Sequence, residues 1–410
     1  MARQIFFINR FFYPDHSATS QMLSDLAFHL ASHGTPVTII TSRQLIDDSD
    51  ARLISKEEIN NVKVFRVWTT SFGRAGLIGR AIDYLSFYLT TLLCLFHLVK
   101  RGDTVVAKTD PPLISLISAI IVKLKGAYLI NWLQDIFPEV AVALNVKGAR
   151  LIAPILVVFR NYTLRLAINN VVLGEKMAEL VSKQTLGLAK TTIIPNWSDG
   201  DSILPIKPAD NKLRKAWKLE DKFVVGYSGN MGRAHDFETI LQAANLLKDQ
   251  KDLHFLFIGS GAQKEILEKK FNEHDIHNVI FQPYQDRDQL AESLSCPDVH
   301  MISLLPELEG VIVPSKFYGI AAAGRASLFI GDLDGEISRI IDQSNCGISI
   351  KVGDAKKLAK TILDLKNNRE LCADLGVKAR NAYDQKYNKQ MSFKAWSLLL
   401  SGKSNTDTAL

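Results

Sequence analysis

The stretch VVGYSGNMGRAHDFETILQAANLL, residues 224–247, decides the fold. It begins with an apolar run of strand length, passes through a loop with glycines at 226, 229 and 232, and continues with apolar residues at helical spacing. A strand that leads through a glycine-rich loop into a helix is the repeating unit of parallel α/β sheets. In such sheets, ligands bind outside the carboxyl ends of the strands, so the loops at those ends are the places to look for a site.

The same unit recurs on both sides of this stretch. Short runs rich in Val, Ile and Phe alternate with longer helical stretches at 5–9, 37–41, 104–108, 128–133 and 170–174, and again at 223–229, 254–261, 279–284, 299–304, 327–331 and 347–351. A proline-bearing connector at 202–208 separates the two series. The pattern predicts an α/β chain with two doubly wound halves.

We therefore predict a first domain at residues 1–200, completed by a C-terminal helix at about 385–402, and a second domain at residues 201–384. Residues 403–410 are polar, and we expect them to form a flexible tail. A length of 410 residues with 47% hydrophobic content is enough for two cores.

Composition narrows the class of protein. The 4 cysteines lie far apart with no CxxC spacing, which argues against a disulfide framework and against a structural zinc site. No secretory signal pattern opens the sequence, so we expect a cytoplasmic location. No DxD, HExxH or clustered histidines stand at a strand end in the second half, so the sequence does not call for a bound metal.

Charge and hydropathy point to one type of partner. The net charge of +6 comes entirely from residues 1–200, which hold 21 Lys and Arg against 15 Asp and Glu. The most apolar segment, residues 81–99, carries Asp83 and His97, which favours a buried or interface-lying helix over a transmembrane one. Contact with an anionic membrane face is one interpretation, and an ordinary solvated surface is the other. No basic run with interleaved aromatics suggests nucleic acid.

The loop of the deciding stretch holds candidate ligands for a diphosphate. Gly229 and Gly232, on either side of Asn230 and Met231, allow close approach of the backbone, and Arg233 supplies a fork of donors. A glycine-rich turn with a solvated arginine is the structural alternative.

A second candidate site lies in EGVIVPSKFYGIAAAG, residues 309–324. An apolar run ends at Pro314, and we predict a helix that begins with Ser315 as its N-cap. Free backbone N–H groups there, together with Lys316, would attract an anion. Gly324 is expected to end the helix in a left-handed conformation.

Three further positions are candidates. Asp135 follows an apolar strand, where a carboxylate is costly unless it binds something, so we predict a role at an acceptor hydroxyl, with a helix N-cap as the alternative. Ser17, Ala18 and Thr19 stand at the start of the first helix and either meet a phosphate or sugar or form a plain cap. Tyr284 either holds a planar base or packs.

In this order, these segments resemble the retaining glycosyltransferases of family 4, which have the GT-B architecture of two facing Rossmann-like domains with a ligand cleft between them. The resemblance extends over nearly the whole chain, from FYPDHSATSQMLSDLAFHLASHG through NWLQDIFPEVAVALN and YSGNMGRAHDFETILQAANLL to the Pro-Ser-Lys loop. It is strongest for the subgroup with that loop, often assigned to N-acetylaminosugar transfer in capsule, colanic-acid-like or O-antigen assembly.

The resemblance implies roles for individual residues. It implies that Arg233 and Lys316 bind the donor diphosphate, that Glu309 binds the sugar hydroxyls, and that Asp135 lies on the acceptor side. The other donor-binding positions that it implies are Gly229, Asn230, Gly232, Tyr284, Gly310, Val311 and Ser315. Two positions depart from the family pattern: Gly319 stands where many relatives have a ribose-binding glutamate, and Ser17-Ala18-Thr19 replaces a loop with two glycines.

The function implied is metal-independent transfer, without a cofactor, of an N-acetylaminosugar from a UDP donor. The acceptor would be lipid-linked or a saccharide in bacterial surface polysaccharide synthesis, at the cytoplasmic face of the inner membrane. A sugar-nucleotide 2-epimerase of the same architecture is one alternative. A non-catalytic subunit of a polysaccharide-assembly complex is the other.

Overall fold

The structure is a computed structural model that describes residues 3–73 and 76–402, apart from the side chain of Leu77. The chain divides into two compact units. Unit 1 comprises Met1–Pro195 and Phe393–Leu410, and unit 2 comprises Asn196–Ser392. Each unit is a layered α/β domain with a largely parallel sheet, as the alternating pattern predicts. The tail predicted at residues 403–410 lies outside the described residues.

Unit 1 contains an eight-stranded sheet. Its strands are β1 (Ile5–Ile8), β2 (Val37–Ser42), β3 (Lys56–Ile59), β4 (Val62–Val67), β5 (Thr104–Lys108), β6 (Tyr128–Trp132), β7 (Asn169–Val172) and β8 (Thr191–Ile193). They lie in the order β3-β4-β2-β1-β5-β6-β7-β8, and every neighbouring pair is parallel except β3 with β4. The central strands are buried on both faces, which explains why they appear in the sequence as continuous apolar runs.

Six helices of unit 1 connect these strands. They are α1 (Ala18–Ser32), α2 (Leu77–Leu98), α3 (Ile114–Lys125), α4 (Glu139–Ala143), α5 (Ala149–Leu166) and α6 (Glu175–Thr185). The last helix of the chain, α15 (Lys389–Ser401), returns to this unit from Phe393 onward. There Trp396 is fully buried, with its ring 6.3 Å from that of Phe7 and 4.7 Å from that of Trp132.

Unit 2 contains a six-stranded, fully parallel sheet. Its strands are β9 (Phe223–Ser228), β10 (Leu253–Ile258), β11 (Val279–Gln282), β12 (Val299–Ser303), β13 (Ala326–Gly331) and β14 (Gly347–Lys351), in the order β11-β10-β9-β12-β13-β14. The order reverses at β9, where β10 lies on one side and β12 on the other. A reversal of this kind opens a crevice at the carboxyl ends of the strands.

The helices of unit 2 cover both faces of this sheet. They are α7 (Lys212–Ala216), α8 (Glu238–Leu246), α9 (Lys264–Glu273), α10 (Leu290–Ser295), α11 (Lys316–Ala322), α12 (Glu336–Ser344), α13 (Ala355–Asn367) and α14 (Arg369–Ala382). After α11 the chain turns at Gly324, whose φ of +64° confirms the predicted left-handed ending. A short π-helical segment, Tyr383–Tyr387, leads toward α15.

Helix α2 contains the apolar segment singled out in the sequence. Among the residues that the structure describes, it provides the one stretch, Ile78–Leu98, that is long and apolar enough to cross a bilayer. One side of α2 is packed into unit 1, where Phe87 and Leu95 belong to the core between this helix and the sheet. Its other side is exposed.

Candidate functional site

Two glycine loops of unit 2 touch at the carboxyl ends of β9 and β10. Gly229 has a φ of +123° and Gly259 a φ of +137°. A Cβ atom built on Gly259 would lie 2.2 Å from the carbonyl oxygen of Gly229, and one built on Gly261 would lie 2.4 Å from Asn230 Oδ1. Only glycine, which has no Cβ atom, allows this close approach. The glycines of the loop after β10 are therefore needed so that this loop can pack against the loop after β9.

Lys316 lies beside the first of these loops. A Cβ atom at Gly229 would be 3.8 Å from Lys316 Nζ. Lys316 Nζ donates a 2.5 Å hydrogen bond to the Tyr227 hydroxyl and lies 3.9 Å from the centre of the Tyr227 ring, while the hydroxyl donates to the carbonyl of Asn230 at 3.0 Å. These partners are a phenol and a glycine rather than a carboxylate. Burial lowers the pKa of the Lys316 amine to about 7.

His235 completes this group, and sequence reasoning missed it. Its Nδ1 donates a 2.5 Å hydrogen bond to the carbonyl of Ser303, which leaves Nε2 as an acceptor. Burial, with the nearby charge of Lys316 second, lowers the pKa of His235 to about 3. The imidazole is therefore neutral at physiological pH. A single histidine in the loop was the sole signal available.

Arg233 points elsewhere from the same loop. Its side chain is exposed and lines a cavity of about 470 Å³ together with His235, Phe237 and Gln263. Lys316 is not among the lining residues of this cavity. His235 thus lines the cavity together with Arg233 and is also close enough to Lys316 for the charge of that amine to act on it.

Glu309 is held by its own chain. Its Oε1 accepts a 2.8 Å hydrogen bond from the backbone N–H of Glu336 at the start of α12, and burial raises the pKa of the carboxyl. The next residue, Gly310, has a φ of +74°, and the N–H of Val311 donates to the carbonyl of Leu308 at 3.0 Å. The N–H of Val311 therefore already has a partner within the turn.

The Pro-Ser-Lys segment starts α11, as predicted, but Ser315 does not cap it. Ser315 has helical backbone angles, φ −65° and ψ −19°, and its side chain makes no capping hydrogen bond. Gly319 is buried in α11, where a Cβ atom would lie 3.2 Å from Leu294 and 3.6 Å from Ser198 Oγ. This position faces packed side chains, so a glutamate there would require its neighbours to move.

The remaining candidate of unit 2 lies at the edge of its sheet. Tyr284 follows β11, and its side chain is 56% exposed. This exposure is compatible both with binding a planar base and with packing against neighbouring side chains, so the role of Tyr284 in binding a base remains a prediction.

In unit 1, two carboxyl groups lie beyond the ends of β5 and β6. Asp135 receives a hydrogen bond from the Thr109 side chain, and the charge of Asp110 acts on it. Burial raises the pKa of both Asp110 and Asp135 to about 6. Among the described residues, Asp135 Oδ1 is one of the buried oxygens without a hydrogen-bond partner. Sequence reasoning missed Asp110, although it lies two residues after β5, the strand that pairs with β6.

The loop before α1 is organised by a carboxylate. Ser17 precedes α1 without capping it, and its hydroxyl instead donates to Asp15 Oδ1 at 2.5 Å. The carbonyl of Thr19 accepts a 2.7 Å hydrogen bond from Lys108, a buried lysine that also lies 3.8 Å from the Trp132 ring. The hydroxyl of Ser17 is thus used within the loop, and the proposed contact of Ser17, Ala18 and Thr19 with a ligand stays a prediction.

The raised pKa of Asp135 predicts how stability depends on pH. Because its folded-state pKa of about 6 exceeds the ordinary value of 3.8, folding favours the protonated form, and stability is lost as pH rises through about 6. We expect Asp135→Asn to raise the unfolding midpoint at neutral pH, with a gain that shrinks as pH falls toward 4. Thermal unfolding followed by circular dichroism across this range checks it. A gain independent of pH would contradict the assignment.

Within residues 3–73 and 76–402, no group of three or more His, Cys, Asp or Glu side chains is arranged to hold a metal ion.

The amino-acid sequence is similar to those of known glycosyltransferases. Residues 209–382 match the family described as "Glycosyl transferases group 1". The chain is 28% identical over 306 residues to the "Probable glycosyltransferase WbjE" of Pseudomonas aeruginosa, covering 73% of this chain and 74% of that protein. It is 26% identical over 229 residues to the "Putative colanic acid biosynthesis glycosyl transferase WcaI" of Escherichia coli K12, covering 54% of this chain and 56% of that protein.

Among solved structures, HepE of Anabaena, crystallised in complex with UDP and glucose, superimposes with a TM-score of 0.71 at 13% sequence identity. The superposition covers 98% of this chain and 100% of HepE. Identity this low speaks for the fold alone, and that fold is GT-B, with two Rossmann-like domains.

Proposed function

We propose that this chain, a glycosyltransferase with a group 1 domain at residues 209–382, moves a sugar from a nucleoside diphosphate to a hydroxyl acceptor in bacterial surface polysaccharide synthesis. In this proposal the anomeric configuration is retained, no metal ion or other cofactor takes part, and the donor is a UDP-linked N-acetylaminosugar. The acceptor is lipid-linked or a saccharide. The name of WbjE supports glycosyl transfer, and the name of WcaI, which mentions colanic acid biosynthesis, supports a role in polysaccharide synthesis. The UDP bound to HepE supports a uridine donor.

The observation that carries the proposal is the environment of Lys316. Its amine is desolvated, hydrogen-bonded to a phenol, and adjacent to the glycine loop after β9. A cation buried without a carboxylate partner is costly, and an anionic ligand offsets that cost. When a glycosidic bond to a diphosphate breaks, negative charge develops on the leaving oxygen, and a fixed ammonium stabilises it.

The neutral imidazole of His235 adds to this role. Because burial and the charge of Lys316 lower the pKa of His235 to about 3, the imidazole does not carry a competing positive charge. Lys316 therefore supplies the local charge, and binding of a dianionic diphosphate is expected to raise the pKa of the Lys316 amine again. Arg233, which is exposed in the same loop, is proposed as a second donor to the diphosphate.

On the acceptor side we propose Asp135, assisted by Asp110. Desolvation raises the pKa of both carboxyl groups to about 6, and the charge of Asp110 adds to the effect at Asp135, so these groups are suited to accept a proton from a hydroxyl at neutral pH. Glu309 is proposed to contact the donor sugar with the oxygen that does not accept from Glu336. Contact of the chain with the cytoplasmic face of the membrane is also part of the proposal.

A donor screen by thermal shift tests the function. Because a ligand that binds only the folded state raises the unfolding midpoint, we expect UDP-N-acetylglucosamine or a related UDP-sugar to stabilise the protein and GDP-mannose to leave it unchanged. The same screen with EDTA present checks metal independence. A shift with GDP-sugars alone would overturn the UDP assignment.

Product analysis separates the alternatives. Incubation of the stabilising donor without acceptor should return it intact, whereas an epimerase would convert it to its 2-epimer. Calorimetry that detects no binding of any nucleotide sugar would favour a non-catalytic subunit.

A further inference from the structure

Helix α2 exposes an unbroken apolar stripe. Six side chains at spacings of three and four residues lie on one side of the helix and are between 41% and 79% exposed: Ile78, Ile82, Leu85, Leu89, Leu93 and Phe96. Single exposed apolar residues are normal on a protein surface, but a continuous row along a 22-residue helix is a sign of an interaction surface.

The stripe continues onto two neighbouring helices. Helix α3 adds Ile120 and Leu124, and α5 adds Leu151, Ile155, Val158 and Tyr162, all of them exposed. Two lysines of α3 connect the three helices: Lys125 Nζ lies 4.1 Å from the Phe96 ring of α2, and Lys123 Nζ lies 5.1 Å from the Tyr162 ring of α5. The exposed apolar residues of α2, α3 and α5 thus form one surface, here called the apolar face.

The exposed charged side chains on these helices are all basic. Arg80, Lys123, Arg150 and Arg165 are exposed on them, and the three helices contain a single acidic residue, Asp83. Asp83 is buried, where it accepts hydrogen bonds from the Thr70 hydroxyl at 2.7 Å and from the backbone N–H of Phe72 at 3.0 Å. An apolar face whose exposed charges are all basic matches the headgroup region of an anionic bilayer.

The buried side of α2 indicates how this helix would be oriented relative to such a bilayer. Phe87, Thr91 and Leu95 have no exposed surface and are packed inside unit 1, and Asp83 anchors the segment before the helix. Crossing a membrane would expose Asp83 and these polar contacts to hydrocarbon, which is strongly unfavourable. The helix therefore suits a position parallel to the membrane plane, with one side in unit 1 and the other toward lipid.

Two aromatic side chains border the surface. Trp68 and Phe72 are 60% and 61% exposed and lie in the segment that precedes α2. Two hydrogen bonds hold this segment against the helix: the backbone N–H of Phe72 donates to Asp83, and the Thr90 hydroxyl donates to the Trp68 carbonyl at 2.9 Å. Tryptophan prefers the boundary between headgroups and hydrocarbon.

We propose that the apolar face of α2, α3 and α5 binds the surface of an anionic phospholipid bilayer, with α2 lying in the membrane interface. The inference rests on the proposed function in that it names the surface for the peripheral membrane contact. It does not depend on the donor or on turnover.

Sedimentation with vesicles tests this surface. We expect the full chain to bind vesicles containing about 30 mol% phosphatidylglycerol, to bind pure phosphatidylcholine weakly, and to be released at about 0.5 M NaCl. The double variant Leu89→Glu and Leu93→Glu should bind at least about tenfold less tightly. Lys123→Glu and Arg150→Glu should each weaken binding about fivefold or more.

Matched controls use the same changes elsewhere. Leu186→Glu and Leu188→Glu change two exposed leucines outside these helices, and Lys360→Glu reverses an exposed lysine of unit 2. These variants should bind like the parent. Circular dichroism of every variant establishes that it is folded.

Three outcomes would overturn the proposal. The first is that the Leu89/Leu93 variant binds vesicles as tightly as the parent. The second is membrane attachment that resists both salt and alkaline extraction. The third is that the parent forms a dimer in solution and this variant is a monomer. The last would identify the face as an interface between two copies. Normal vesicle binding with no shift by any nucleotide sugar would instead contradict the donor assignment and leave this surface supported.

Discussion

Lys316→Ala is expected to lower kcat for sugar transfer by about 10²–10³-fold, because the variant loses a preorganised charge at the leaving group. The unfolding midpoint should not fall, since the amine is desolvated and makes no ion pair with a carboxylate in its described contacts. The measurements are initial rates with a saturating UDP-sugar and thermal unfolding of the same preparation. Unchanged transfer kinetics would remove Lys316 from the mechanism.

The pH dependence provides a second readout of the same residue. In the free enzyme the pKa of Lys316 is about 7, so kcat/KM should fall as pH rises above that value and the amine loses its proton. Tyr227→Phe keeps the charge and removes the hydroxyl that positions it, so we expect a loss of about tenfold, since a displaced charge still stabilises part of the leaving group. Lys360→Ala, a change of an exposed lysine in the same unit, should leave both rate and profile unchanged.

Gly259→Ala is expected to lower the free energy of unfolding of unit 2 by about 4 kcal/mol. Losses of this size are typical of changes that disturb buried or strained structure. The added Cβ would lie 2.2 Å from the Gly229 carbonyl oxygen, and a φ of +137° is unfavourable for any L side chain. The loop of Gly229 would have to move, and with it the surroundings of Lys316. Equilibrium unfolding in urea measures the loss, and donor binding should weaken in parallel.

Gly353→Ala is the matched control for this change. Gly353 also has a positive φ, +88°, but a Cβ there would meet no atom within 4 Å. It should therefore cost only about 1 kcal/mol, the strain of the backbone conformation alone. Equal losses for the two variants would show that the contact between the loops contributes nothing.

Much of the fold could be predicted because the central strands are apolar on both faces. The runs at 37–41, 104–108 and 299–304 became strands within a residue or two of their expected limits. Two strands outside the predicted runs lie at and next to one edge of the unit 1 sheet, where burial is partial. Lys56–Ile59 is largely charged, and Val62–Val67 alternates buried with exposed or half-buried residues. Short edge strands carry too little apolar signal to be recognised.

The parts of the candidate site that depend on a few consecutive residues could be predicted from the sequence. Glycines and a lysine at strand ends identified the loop of Gly229 and the start of α11. What sequence could not show is which side chains meet. In the sequence Tyr227 looks like an ordinary apolar strand residue, and only the structure shows that its hydroxyl contacts Lys316. Asp110 becomes a candidate only because the parallel pairing of β5 with β6 brings it toward Asp135.

The return of the chain at Phe393 has a consequence for biosynthesis. Unit 2 is one continuous segment, Asn196–Ser392, so all of it has left the ribosome before unit 1 receives Trp396 for its core. Domains of nascent chains usually complete in order from the N-terminus. Here the second unit can finish first, and the apolar side of unit 1 that faces Trp396 stays uncovered until α15 has been translated.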